Sequence, residues 1–198
     1  KSLNLNYKKS NLIAVKKPVF PFNKFPNQKI FLSPEMKSTG EVIGFDKHLG
    51  SAYSKAEIGA GNKLPKKGNI FISVNENDKN EIIKIARDFT EIDFQIIATI
   101  GTSKLLNANG IKSKDIFKVG EGRPHIVDAI KNNEINLIIN TPLGEQSRYD
   151  EYKIGKAAIE YKIPVITTMA GAYAALRAIR FQNKKLTYNS LQEIFNEE

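Results

Sequence analysis

The chain has 198 residues, 41% of them hydrophobic and 26% charged, with 13 Gly and 8 Pro; this supports a buried core and excludes wholesale disorder and fibrous repeats. It has no Cys and two imidazoles, His48 and His125, which excludes a disulfide scaffold, a thiolate metal site, a thiol nucleophile and a multi-histidine metal site within the chain. The net charge of +9 sits in the first third, where residues 1–68 hold 13 Lys or Arg against 4 Asp or Glu while residues 69–198 hold 17 of each. With no RRM, KH or zinc-finger pattern beside it, that excess reads as a basic edge separated from acidic neighbours, not as a nucleic-acid arm.

No apolar run approaches the roughly 20 residues needed to span a bilayer, and no signal-peptide pattern opens the chain. The expectation is a piece of a soluble, cytoplasmic protein. Short apolar runs (Leu12 to Val15, then Val19 and Phe20) are interrupted by Pro18, Pro21, Pro26 and Pro34, which predicts edge strands and turns. His48 to Ala60 is predicted as a helix ending at Gly59-Ala-Gly61. The chain divides near Lys66-Lys67-Gly68.

After Gly68 strand and helix alternate. Ile70 to Val74 is an apolar run of strand length, and Asp78 is expected to cap a helix carrying Ile82, Ile83, Ile85, Ala86 and Phe89. Phe94 to Ala98 is the second strand, with a short helix from Gly101 to Asn109 stopped by Gly110. Ile116 to Val119 is the third strand and His125 to Lys131 a helix. Asn136 to Asn140 is the fourth strand, followed by a helix from Tyr149 to Tyr161. Pro164 to Thr167 is the fifth, Ala170 to Phe181 a helix, and Ser190 to Phe195 a last short one. Buried strands alternating with crossover helices predict an α/β fold, a five-stranded parallel sheet with helices on both faces.

In such a sheet a ligand belongs at the carboxyl ends of the strands. There the sequence places Ser73 and Asn75, then Thr99 to Thr102, then Lys118, Gly120 and Gly122, then Asn140 to Gly144, then Thr167 and Thr168. Hydroxyls, glycines and helix N-terminal amides describe an anion pocket, with Lys118 and Lys79 as counter-charges for a phosphate. Any one of these residues is also an ordinary turn or cap residue; five converging strand ends favour the pocket. Neither a Walker A loop nor a Rossmann fingerprint is present. Glu121-Gly-Arg-Pro-His125 reads equally as an acid–base group with a phosphate clamp and as a helix-opening turn, with Pro124 near the first helical position and Arg123 in an ion pair.

Two blocks carry a specific resemblance. Phe20 to Lys55, FPFNKFPNQKIFLSPEMKSTGEVIGFDKHLGSAYSK, resembles the end of the second ATP-grasp half of the carbamoyl-phosphate synthase large subunit, PEMKSTGEV above all. Residues 69–198, with KVGEGRPHIVDAI, IINTPLG and TTMAGAYAAL, resemble the methylglyoxal-synthase-like domain that ends the same subunit. The resemblance implies an ATP-grasp edge and linker over 1–68 and an allosteric domain over 69–198. For the whole subunit it implies synthesis of carbamoyl phosphate from bicarbonate, ammonia and two ATP, with Mg²⁺ or Mn²⁺, for arginine and pyrimidine biosynthesis. A small glutamine amidotransferase subunit is the implied ammonia source. This piece lacks the metal carboxylates and most of the ATP site, so alone it is expected to be inactive and without a cofactor.

The family's regulatory domain binds a nucleoside monophosphate, UMP as inhibitor and IMP as activator in some relatives. Carried over, the effector-binding residues are Ser73, Lys79, Thr99, Thr102, Lys118 and Asn140. Pro142 stands where enteric relatives have a Thr, removing a ribose-side hydroxyl. Of the family's ornithine site, Leu32 and Thr167 match, whereas Lys17 replaces a Glu and Val165 a Tyr; activation by ornithine in the enteric manner is therefore not expected. The alternative enzyme reading is methylglyoxal synthase acting on dihydroxyacetone phosphate. Its catalytic Asp falls on Arg123, which leaves proton abstraction without a base. The stretch from Gly40 to Lys67 is the expected lever between the nucleotide site and the ATP-grasp half.

Overall fold

The structure, a computed structural model, describes residues 11–19, 40–143, 145–182, 186–190 and 192–193. The prolines 21, 26 and 34, Leu32, and three of the six residues of the helix expected at Ser190 to Phe195 lie outside these residues. A two-stranded antiparallel ribbon comes first, β1 (Ile13–Val19) paired with β2 (Gly40–Asp46). Helix α1 (Leu49–Gly59) packs on it. Pro18 does not interrupt β1; it lies opposite Glu41. Each strand of a two-stranded ribbon keeps an open edge, which tolerates the missing N–H of proline.

The parallel sheet contains β3 (Gly68–Val74), β4 (Phe94–Thr99), β5 (Ser113–Ile116), β6 (Leu137–Thr141) and β7 (Val165–Ile166), in the order β5-β4-β3-β6-β7. The helices are α2 (Lys79–Thr90), α3 (Ile100–Ala108), α4 (Ile126–Lys131), α5 (Glu145–Glu160) and α6 (Met169–Phe181). The chain enters at the central β3, builds outward to β5, then crosses back to β6. The strand order therefore reverses between β3 and β6, where two connections diverge and leave a crevice.

The period-two rule sorts the buried side chains of the strands. Ile70, Ile72, Ile96, Ala98, Leu137 and Ile139 face α2, α3 and α6 in one core. Phe71, Ile97 and Ile138 face α4 and α5 in the other. Phe71 and Ile138 are fully buried, and each such side chain contributes about 1.5–3 kcal/mol.

Three boundaries differ from expectation. The third strand is Ser113–Ile116, not Ile116 to Val119. It is the sheet's edge, so Lys114 and Asp115 stand exposed, and Asn107 fixes its start by accepting the Ser113 N–H at 3.0 Å. Asp78 makes no side-chain cap for α2. Asn75 instead caps a 3-10 turn, Glu76–Asp78, that leads into the helix, accepting the Asn77 N–H at 2.9 Å. Finally α5 begins at Glu145, four residues before Tyr149.

Helix α1 also touches α6. A Cβ on Gly50 would sit 2.6 Å from the Arg177 carbonyl oxygen, and the His48 and Phe181 rings lie 5.2 Å apart. Gly68 opens β3 at φ +120°, with the Asn136 carboxamide where a side chain would project.

Candidate functional site at the carboxyl edge of the sheet

Ser73, Thr99 and Asn140 extend the rows of Phe71, Ile97 and Ile138, so all three project to the α4/α5 side. They also share a level: Ser73 pairs with Asn140, and Ile72 with Ala98, one residue before Ser73 and Thr99. Three neighbouring strands thus present two hydroxyls and a carboxamide side by side at the crevice. Thr99 is 4% exposed and Asn140 6%, and the Asn140 carboxamide makes no hydrogen bond among the described residues. Thr99 donates to the Thr102 hydroxyl at 3.3 Å, which places Thr102 on the same row. Thr99 gives α3 no side-chain cap, so the first amides of that helix face the edge without a side-chain acceptor.

The two lysines differ. Lys118 lies in the loop beyond β5, exposed, with its N–H donated to Glu121 Oε2 at 3.3 Å. Its ammonium acts on Asp150 of α5, whose carboxyl burial pushes up; Lys118 opposes that shift and Glu121 adds to it. Lys79, in the first turn of α2, pairs with Glu76 at 2.5 Å, so an anion at the edge has to draw it away from that carboxylate.

Glu121-Gly-Arg-Pro-His125 is a helix cap. His125 Nδ1 accepts the Asp128 N–H at 3.3 Å, and Asp128 Oδ2 accepts the His125 N–H at 3.0 Å. That backbone bond is the main reason the Asp128 carboxyl lies below its usual range. Arg123, largely exposed, stands 3.6 Å from Asp128, and Pro124 precedes the cap instead of occupying the first helical position. A cleft of about 280 Å³ between β5 and α4, floored by Ile97, Ile116 and Phe117, includes none of the six residues expected to bind an effector.

Of the positions matched to an ornithine site, Thr167 and Lys17 lie in different parts of the fold, Thr167 beyond β7 and Lys17 in β1. Leu32 lies outside the described residues, and Thr167 is exposed. Lys17 pairs with the buried Glu57 at 2.5 Å, and Asn62 donates to the other Glu57 oxygen at 2.9 Å. Among the described residues no group of three His, Asp or Glu is placed to hold a metal ion, and no helix is long and apolar enough to cross a membrane.

Two contacts were not legible in the sequence. Asp150 sits mid-helix among charged neighbours and carries no local signal of its approach to Lys118. Asn75 was noted as a strand end, but its bonds to Thr141 cross 66 residues of chain.

Residues 81–167 match the family described as "MGS-like domain". Over 195 residues, 96% of the chain, it is 47% identical to "Carbamoyl phosphate synthase large chain, C-terminal section" of Aquifex aeolicus. Over 187 residues, 93% of the chain, it is 51% identical to "Carbamoyl phosphate synthase large chain" of Archaeoglobus fulgidus. The chain is homologous to the C-terminal part of the carbamoyl phosphate synthase large chain. It spans 36% of the Aquifex protein and 17% of the Archaeoglobus one, so the large chain's remaining length has no counterpart here. A solved methylglyoxal synthase from Elizabethkingia anophelis aligns with a TM-score of 0.46 and 16% identity, covering 57% of this chain and 79% of that one. The matched residues 81–167 take in β4 to β7 of the five-stranded parallel sheet.

Proposed function

We propose that this chain is the regulatory C-terminal region of a glutamine-dependent carbamoyl phosphate synthase large subunit and that its sheet edge binds a nucleoside monophosphate, UMP or IMP. The row of Ser73, Thr99 and Asn140 at the β3/β6 crevice carries this reading. The phosphate lies against the Thr99 and Thr102 hydroxyls and the first amides of α3, with Lys118 as its cation. Lys79 joins it by exchanging Glu76 for the phosphate. Ser73 and Asn140, one strand apart, face the ribose with a hydroxyl and a carboxamide able to donate and accept. Pro142, just past the β6 end, offers that sugar no hydroxyl.

On this reading the chain alone has no catalytic role and needs no cofactor. In the cytoplasm, the full large subunit with its small glutamine amidotransferase partner makes carbamoyl phosphate from bicarbonate, ammonia and two ATP, with Mg²⁺ or Mn²⁺ held in its ATP-grasp halves. The product feeds arginine and pyrimidine biosynthesis, and the nucleotide sets the rate. Ornithine, whose ammonium would meet Lys17, does not activate.

The test is the rate of carbamoyl phosphate formation by the full synthase with UMP or IMP, for the wild type and Asn140→Ala. A response to one nucleotide, needing about tenfold more of it in the variant, supports the reading. A wild-type enzyme indifferent to both refutes it.

A further inference from the structure

The β3/β6 ladder ends at the pair Val74 and Thr141, where the crevice opens. Beyond it one side chain continues the connection. Asn75 Nδ2 donates to the Thr141 carbonyl at 3.0 Å and lies 3.3 Å from the Thr141 hydroxyl, which also accepts the Asn75 N–H at 3.4 Å. The same Nδ2 donates to Asp78 Oδ2 at 2.7 Å, and Oδ1 accepts the Asn77 N–H at 2.9 Å. A carboxamide has two N–H donors and one carbonyl acceptor; here they reach the end of β6 and the turn before α2 together.

The residues on either side of this latch are those of the site. Thr141 lies between Asn140 and Pro142, Ser73 precedes Asn75 by two positions, and Asp78 directly precedes Lys79. The latch therefore fixes the distance between the β6 wall and the first turn of α2. It also holds the Asp78 carboxylate on an amide, where it does not compete with an incoming anion for Lys79.

We infer that Asn75 is a positioning residue for the nucleotide's phosphate, aligning the first turn of α2 with the end of β6 and holding Asp78 aside. The inference rests on the nucleotide reading above. An Asp at this position keeps the shape and the acceptor but loses both donors and sets one carboxylate against another. Exchanging the two residues restores the amide–carboxylate pair between positions 75 and 78 but leaves the Thr141 carbonyl without its donor.

The experiment titrates UMP, IMP and the nucleosides uridine and inosine into the full large subunit. The proteins are the wild type, Asn75→Ala, Asn75→Asp and the double variant Asn75→Asp/Asp78→Asn, with thermal unfolding of each recorded. The expected result is monophosphate affinity about tenfold weaker in Asn75→Ala and weaker still in Asn75→Asp. The double variant binds more tightly than Asn75→Asp but below the wild type, because the Thr141 carbonyl still lacks its donor, and the weak nucleoside affinity changes less than twofold throughout. Monophosphate binding within twofold of wild type in both single variants overturns the inference. So does a loss that tracks the fall in unfolding temperature and affects nucleoside and nucleotide alike, which is the result of a structural role. A wild type that binds neither nucleotide overturns the nucleotide reading and this inference with it.

Discussion

Asp46 accepts hydrogen bonds from the Ser51 hydroxyl at 2.6 Å and the His48 N–H at 3.1 Å, and pairs with Lys55 at 2.9 Å. Burial raises its pKa, but the bonds from Ser51, Lys55 and His48 together prevail and hold it at about 2, below the ordinary 3.8. A carboxyl lowered in the folded state gives stability that is present above the unfolded value and lost as pH falls through the folded one. Its contribution, on the order of 2 kcal/mol, is therefore lost between about pH 4 and pH 2. Urea unfolding of the wild type and Asp46→Asn from pH 6 to pH 2 measures this. The variant should be less stable at neutral pH and lose less on acidification; parallel pH curves would contradict it. His125→Ala, which removes the side-chain half of the α4 cap, should cost about 1 kcal/mol in the same assay. At this scale Ser73, Thr99 and Asn140 were legible because strand parity alone aligns them. The Lys79–Glu76 pair and the approach of Asp150 were not, since each depends on where a long side chain lies in three dimensions.

Elements with continuous apolar runs were legible to within a residue or two. β3, β4 and β6 are buried on both faces and so carry that pattern. β5 was misplaced by three residues because an edge strand need not be apolar. β2 was missed because its useful residue is a glycine: a Cβ on Gly44 would meet the Ala52 carbonyl and come within 2.7 Å of the Ala56 nitrogen. That contact lets α1 lie directly on the ribbon backbone. Gly44→Ala should therefore push helix and ribbon apart and cost about 1–3 kcal/mol. Gly155→Ala in α5, where a Cβ meets nothing within 4 Å, should be neutral or stabilise by up to about 1 kcal/mol. Thermal unfolding of the two variants side by side checks the contrast, and equal shifts would argue against the close packing.

In the whole molecule α1 is held on two sides, by the ribbon at Gly44 and by α6 at Gly50. α6 starts at the carboxyl edge of the sheet, where the Thr168 hydroxyl caps it by accepting the Gly171 N–H at 3.1 Å. The linker after α1 is anchored as well, with Leu64 buried and its carbonyl accepting from Gln182 Nε2 at 3.1 Å. On the proposed regulatory reading, α1, which touches both α6 and the ribbon, is the element within Gly40 to Lys67 that would couple them, because coupling requires an element that both ends bias. In the full synthase Gly50→Ala should leave nucleotide affinity within about twofold while reducing the nucleotide's effect on rate several-fold. An unchanged effect would remove α1 from the route. The parallel sheet was legible from sequence because it follows from local periodicity. The contact of α1 with α6 was not, because it joins segments 127 positions apart and depends on a close backbone approach at Gly50 that no local pattern encodes.

On the proposed reading the sheet edge holds a nucleoside monophosphate with Lys118 on its phosphate. Calorimetric titration of UMP and of IMP into the large subunit, wild type and Lys118→Ala, tests it most directly. Binding of one nucleotide that weakens about tenfold or more in the variant, a loss of roughly 1.4 kcal/mol or more, is the expected result. Binding of neither by the folded wild type, or equal binding by both proteins, would contradict it.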